Sequence, residues 1–236
     1  MIFWKPTTRN RVGVLMPETR LNEMPIAEKI DFALDIEELR RFFETQIKTV
    51  EPIWQTEQFG GWSLTSSNGD YRDGWHQAHR NYVGQTAEQA QALTTAQGVA
   101  PLGAFRKPTQ LCGGPFLDFI QRLEQAGFYP RRARLICLRA GGASSWHRDA
   151  ADTQYAVRLH VPITTNAGCF FQIGTPEAPD QRHLKAGDVY LLKVNRLHRV
   201  INSGSEDRIH LVINVFDTKQ VSKHHQFNFD PSFLNV

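Results

Sequence analysis

Cysteine is scarce in this chain. Three thiols, Cys112, Cys137 and Cys169, occur among 236 residues. An odd number without close pairing is a poor disulfide framework, and no pair has the spacing of a zinc knuckle. A reducing compartment is the expectation. Long apolar runs are missing too: no stretch approaches the roughly 18 residues of a membrane helix. The start, Met1-Ile2-Phe3-Trp4-Lys5-Pro6, has no basic segment followed by an apolar run, so no signal peptide is read there. Strong charge of one sign is absent as well. A formal net charge of +3 leaves only short basic groups such as Arg131-Arg132-Ala133-Arg134, too little for a nucleic-acid face. No internal repeat or low-complexity segment is evident. A cytoplasmic protein that engages neither nucleic acid nor membrane is expected, and its oligomeric state is left open.

What the chain does have is an ordinary globular composition, 41% hydrophobic and 22% charged, and a change of periodicity near residue 130. Before that point helical spacing dominates. Ile36, Leu39, Phe43, Ile47 and Val50 form one apolar stripe that ends before Pro52. Thr86 and Gln89 suggest a capped helix running to Gly98. Leu117, Ile120 and Leu123 mark a third helix that stops at Gly127. Between the first two helices, Gln58 to Trp75 reads as a short strand around Trp62-Ser63-Leu64 and then a long loop. After residue 130 the signal is strands: residues 134–138, 155–163, 168–173, 188–193 and 208–216. About eight short strands in this space predict a sandwich or barrel. The expected fold is mainly β, a double-stranded β-helix of jelly-roll, cupin-like form with a helical buttress. Residues 1–130 would form the buttress within the same domain, 131–217 the core, and 218–236 a carboxy-terminal tail.

The chemistry concentrates in Trp146-His147-Arg148-Asp149. On an extended chain residues i and i+2 share a face, so the His147 imidazole and the Asp149 carboxylate converge. Some fifty residues on, Asn195-Arg196-Leu197-His198, at the end of a strand introduced by a Gly187-Asp188 turn, supplies a second histidine. Two imidazoles and one carboxylate, leaving three positions open, is the facial triad of non-haem Fe(II) oxygenases. Arg208 follows His198 by ten residues, across the turn Asn202-Ser203-Gly204-Ser205. If the two strands form a hairpin, Arg208 enters the same cavity with a planar fork suited to a carboxylate. His210 shares its strand face. In residues 155–163, Arg158 and His160 lie on one face and Val157, Leu159 and Val161 on the other.

These motifs, from His147 to Phe216, resemble the aspartyl/asparaginyl β-hydroxylase family of Fe(II)/2-oxoglutarate dioxygenases, which includes bacterial free-proline hydroxylases. The resemblance implies Fe(II) on His147, Asp149 and His198, with 2-oxoglutarate and O2 as co-substrates. It implies that Arg208 holds the co-substrate's side-chain carboxylate and that Arg158 and His160 line the same site. Asp149 departs from the animal peptide hydroxylases, which lack a metal-binding carboxylate, and brings the motif closer to the free-proline enzymes. Hydroxylation of an amino acid, free or within a peptide or protein, with release of succinate and CO2, is the implied activity. A jelly-roll metal-binding sensor or binding module without turnover is the alternative. Trp62 and Arg72, in the only long segment outside the jelly-roll pattern, are the expected substrate contacts, with Arg72 pairing a carboxylate.

Overall fold

The computed structural model describes residues 27–75, 105–149, 157–194 and 196–217. The helix expected over 86–98, Asn195 and the tail 218–236 lie outside them. Helix α1, Ile36–Phe42, is started by Asp35, whose carboxylate accepts the Glu38 N–H at 3.0 Å. It continues into a wider π turn, Phe43–Ile47, so the stripe Leu39, Phe43, Ile47 stays on one side and buried. Helix α2, Gly114–Gln125, buries Phe116, Phe119, Ile120 and Leu123, one apolar face at i, i+3, i+4 and i+7. Gly127, at φ +87°, lets the chain reverse.

A seven-stranded antiparallel sheet is built from β1 (Ala27–Ile30), β2 (Ile53–Trp54), β3 (Phe59–Ser63), β6 (Phe128–Leu138), β7 (Val157–Thr164), β10 (Val189–Lys193) and β12 (Arg208–Asp217). Its order is β1-β10-β7-β12-β6-β3-β2. A two-stranded ladder pairs β4 (Thr65–Ser66) with β5 (Lys107–Pro108). The smaller facing sheet has the order β11-β8-β9, from β8 (Cys169–Thr175), β9 (Ala178–Arg182) and β11 (His198–Asn202). Residues 143–147 extend that sheet along β11 through single bridges, Ala143 to Ile201 and His147 to His198. Two four-stranded layers, β10-β7-β12-β6 and 143–147-β11-β8-β9, make the double-stranded β-helix.

Alternation along each strand divides the apolar side chains between two cores. Leu135, Leu159, Val161, Leu211 and Ile213 pack outward with α1 and α2, whereas Phe171, Ile173, Tyr190 and Leu192 cluster between the sheets. Among the described residues of the amino-terminal half, β1, β2 and β3 join the large sheet alongside the two helices. Two expectations need correction. His198 opens β11 rather than closing a strand. And β11 and β12 are not a hairpin: β11 pairs with β8, while β12 pairs with β6 and β7. The turn 203–207 crosses from one sheet to the other, so Arg208 meets the site across the barrel.

Candidate metal centre and its surroundings

His147 and His198 are held side by side because each donates its backbone N–H to the other's carbonyl, both at 2.9 Å. Their ring centroids are 4.4 Å apart. The Asp149 N–H reaches the Val194 carbonyl at 3.1 Å, which turns the carboxylate toward the two rings. The three ligand atoms lie within 4.8 Å of one another. His147 Nε2 is 3.7 Å, and His198 Nε2 3.4 Å, from an oxygen of Asp149.

The tautomers follow from the partners. His147 Nδ1 lies 2.7 Å from the Ser145 carbonyl and His198 Nδ1 2.8 Å from the Arg196 carbonyl. A carbonyl only accepts, so both Nδ1 atoms carry hydrogen and both Nε2 lone pairs face Asp149. Burial, as the largest influence, pushes the His147 pKa down and favours the neutral ring. For Asp149 burial alone would raise the carboxyl. The Arg158 guanidinium overcomes it, so the carboxylate stays ionised well below the usual range. Three acceptors thus converge on one point, and the carbonyls behind the rings fix their orientation as outer partners of a metal site do. The donor set fits a divalent transition metal with open positions.

Arg158 secures Asp149. Its Nη1 is 2.8 Å from Oδ2, and its Nε donates to Asn214 Oδ1 at 3.0 Å. Sequence reasoning grouped Arg158 with the co-substrate; the structure engages it with the Asp149 carboxylate. Asn214 was missed, although its place opposite Arg158 on β12 could have suggested it. His160 is buried, its Nδ1 has no hydrogen-bond partner, and it meets His210 edge-on with centroids 6.1 Å apart.

Arg208 is 2% exposed and pairs with no carboxylate among the described residues. Its Nη2 donates to His210 Nδ1 at 2.7 Å. Burial pushes its pKa down to about 10. A buried guanidinium without an acid is costly unless an anion joins it. Asn202, also missed, fixes the crossover leading to it. The buried Asn202 amide donates to the carbonyls of Leu138 (3.0 Å), Arg139 (3.1 Å) and Glu206 (2.8 Å).

Neither expected substrate residue approaches this constellation through a recorded contact. Trp62 is a correction. Its position opposite Leu135 points it into the helix-facing core, against Phe43 at 5.3 Å between centroids. The indole N–H donates to the Val50 carbonyl at 2.7 Å. Arg72 sits on an exposed turn, 3.7 Å from Asp70 and 4.7 Å above the Tyr71 ring. The barrel-facing partner on β3 is the next residue, Ser63, opposite Arg134. Arg134 is buried, its guanidinium 5.1 Å from the centre of the Trp75 ring.

A double-stranded β-helix carrying two histidines and an aspartate, with a buried arginine on its last strand, is an arrangement that 2-oxoglutarate/Fe(II) oxygenases share. Residues 116–218 match the family model described as Aspartyl/Asparaginyl beta-hydroxylase. The matched segment holds the whole of β6 to β12, with His147, Asp149, His198 and Arg208. No curated protein matches the chain. Among solved structures, an oxidoreductase of the 2OG-Fe(II) oxygenase family from Burkholderia pseudomallei is similar at 15% identity, covering 84% of this chain and 87% of that one, with a TM-score of 0.47. A prolyl-4-hydroxylase from Pseudomonas putida is similar at 12% identity, covering 81% and 92%, with a TM-score of 0.43. A cupin domain from Bordetella pertussis is 23% identical over 36% of this chain and 80% of that one, with a TM-score of 0.29.

Proposed function

We propose that this protein is an Fe(II)- and 2-oxoglutarate-dependent hydroxylase acting on an amino acid, free or within a peptide, and releasing succinate and CO2. The observation that carries the reading is the pairing of two unsatisfied sites in one barrel. Three acceptors converge at His147, Asp149 and His198, and a buried cation without an acid stands at Arg208. The first calls for a metal cation and the second for a carboxylate, and 2-oxoglutarate with Fe(II) meets both demands.

His147, Asp149 and His198 would hold the metal. Bound there, Fe(II) supplies the means of activating O2 against a C–H bond while 2-oxoglutarate is decarboxylated. The chain's own residues do the rest. Arg158 fixes the orientation of the Asp149 carboxylate and leaves its other oxygen available. Arg208 binds the distal carboxylate of the co-substrate. His210, accepting from Nη2, sets the plane of that guanidinium. Phe171 packs on the His198 ring with centroids 5.4 Å apart and keeps that side of the site dry. Among the described residues no helix is long and apolar enough to cross a membrane, and the three thiols are free. Free thiols support a reducing, cytoplasmic setting.

The test is a screen of amino acids and short peptides with Fe(II), 2-oxoglutarate and O2, following succinate and a gain of one oxygen by mass spectrometry. Substrate-coupled succinate is the expected result. A protein that binds metal but never consumes 2-oxoglutarate would reject the reading in favour of a binding or sensor module.

A further inference from the structure

Beyond the groups already used, the barrel interior holds a second buried arginine. Arg134, 7% exposed, makes no hydrogen bond or ion pair with the described residues, and its Nε is unpartnered. Two further buried donors beside it are also unpartnered: Ser63 Oγ, directly opposite on β3, and Trp75 Nε1, whose ring lies over the guanidinium. A cation–π contact accounts for the stacking but satisfies none of the N–H groups. Three orphan donors at one place, one of them charged, is the signature of a pocket built for an anionic acceptor.

Register places this pocket beside the metal centre. Val212 on β12 lies opposite Arg134 on one side and His160 on the other, and Asn214, two residues on, lies opposite Arg158. Arg134 and Arg158 are therefore two strands and two residues apart, about 12 Å between backbones. Their charges, with that of Asp149, act on one another. Ile136 and Val212 form an apolar cluster with Trp75. On the reading of the site as a 2-oxoglutarate hydroxylase, the substrate's C–H bond stands between this cluster and the metal ligands.

We propose that Arg134, Ser63 and Trp75 bind a carboxylate of the substrate, so that the enzyme takes a carboxylate-bearing amino acid whose aliphatic part rests on Ile136 and Val212. One guanidinium with two neutral donors matches the single charge and two oxygens of a carboxylate. The group could be the α-carboxylate of a free amino acid or the side chain of an acidic residue in a peptide. The chemistry of recognition is the same for both.

The experiment uses the Mn(II)-loaded full-length protein with 2-oxoglutarate. The probes are the free L-amino acids, their primary amides, and N-acetylated, C-amidated aspartate and glutamate with their neutral counterparts. Thermal shift and Trp fluorescence report binding, and succinate formation with Fe(II) reports turnover. At least one free acid should bind about 10- to 100-fold more tightly than its amide, the range of a charge-assisted pair. In Arg134→Gln this preference should collapse to a few-fold, and Arg134→Lys should restore part of it. Ser63→Ala should narrow it independently, which guards against a folding defect in the Gln variant. Blocked aspartate or glutamate binding in place of free acids assigns the carboxylate to a side chain and upholds the pocket. Equal binding by the parent of the charged and neutral members of both probe sets, an undiminished preference in Arg134→Gln, or no binding by any probe overturns the proposal. Failure of the metal and 2-oxoglutarate reading is seen separately, as absence of a Mn(II)- and 2-oxoglutarate-dependent thermal shift before any probe is added.

Discussion

Replacing Arg208 with Met should move stability and co-substrate binding in opposite directions. The guanidinium is 2% exposed, has no acid beside it among the described residues, and is pushed down by burial to about 10. A depression of that size below the ordinary arginine value corresponds to ~3 kcal/mol against the charged form. The sign follows directly. The folded value lies below the unfolded one, so the cost is fully present below pH 10 and disappears only as the pH rises above it. Met fills similar volume without charge. It removes the cost but leaves His210 Nδ1 without its donor, a loss of ~1–2 kcal/mol. A net gain of ~1–2 kcal/mol is expected, or a rise of roughly 2–8 °C in Tm for the protein without co-substrate. With Mn(II) present, 2-oxoglutarate at a hundred times its Kd should stabilise the parent by ~2.7 kcal/mol. The variant should show none of this. Differential scanning fluorimetry, with and without 2-oxoglutarate, measures both effects. If Arg208→Met melts well below the parent, the buried charge has a partner unaccounted for. If it keeps the parent's 2-oxoglutarate shift, another residue anchors the keto acid.

His198→Ala should weaken Mn(II) binding by more than the roughly 10–100-fold typical of outer-sphere changes, with circular dichroism unaltered; titration calorimetry giving the parent's affinity would refute the triad. His160 and His210 are held neutral by burial first and by Arg208 second, well below the ordinary histidine value. Because the unfolded chain takes up two protons that the folded state refuses, stability is present above the unfolded value near 6.5 and is lost below it. Urea unfolding of the metal-free protein should lose ~4 kcal/mol between pH 7 and 5, and a flat profile would mean that one ring is charged and paired. Trp62→Ala should cost ~3–5 kcal/mol by emptying the helix-facing core, while selectively raised substrate KM at unchanged Tm would return that residue to the substrate site. Gly61, at φ +145°, has the Leu135 carbonyl where a Cβ would stand, so Gly61→Ala should fail to fold stably or lose several degrees of Tm.

Much of this protein was legible without coordinates because its signals are local. The i, i+2 spacing of His147 and Asp149 needs only an extended backbone, and the outward stripe Leu159, Val161 against the inward Arg158, His160 needs only a period of two. The stripes that form α1 and α2 are likewise properties of short segments. Three matters were decided by long-range pairing. The register of β3 on β6 puts Trp62 opposite Leu135 and Ser63 opposite Arg134, and a shift of one residue exchanges the two faces. The crossing of the chain between sheets after Asn202 brings Arg208 in from the far wall, where turn residues alone suggested a hairpin. The ion pair of Arg158 with Asp149, and the solitude of Arg134 and Arg208, depend on which charges the fold leaves close together in a medium without water. Sequence names the donors and acceptors; the tertiary structure decides which remain unpaired.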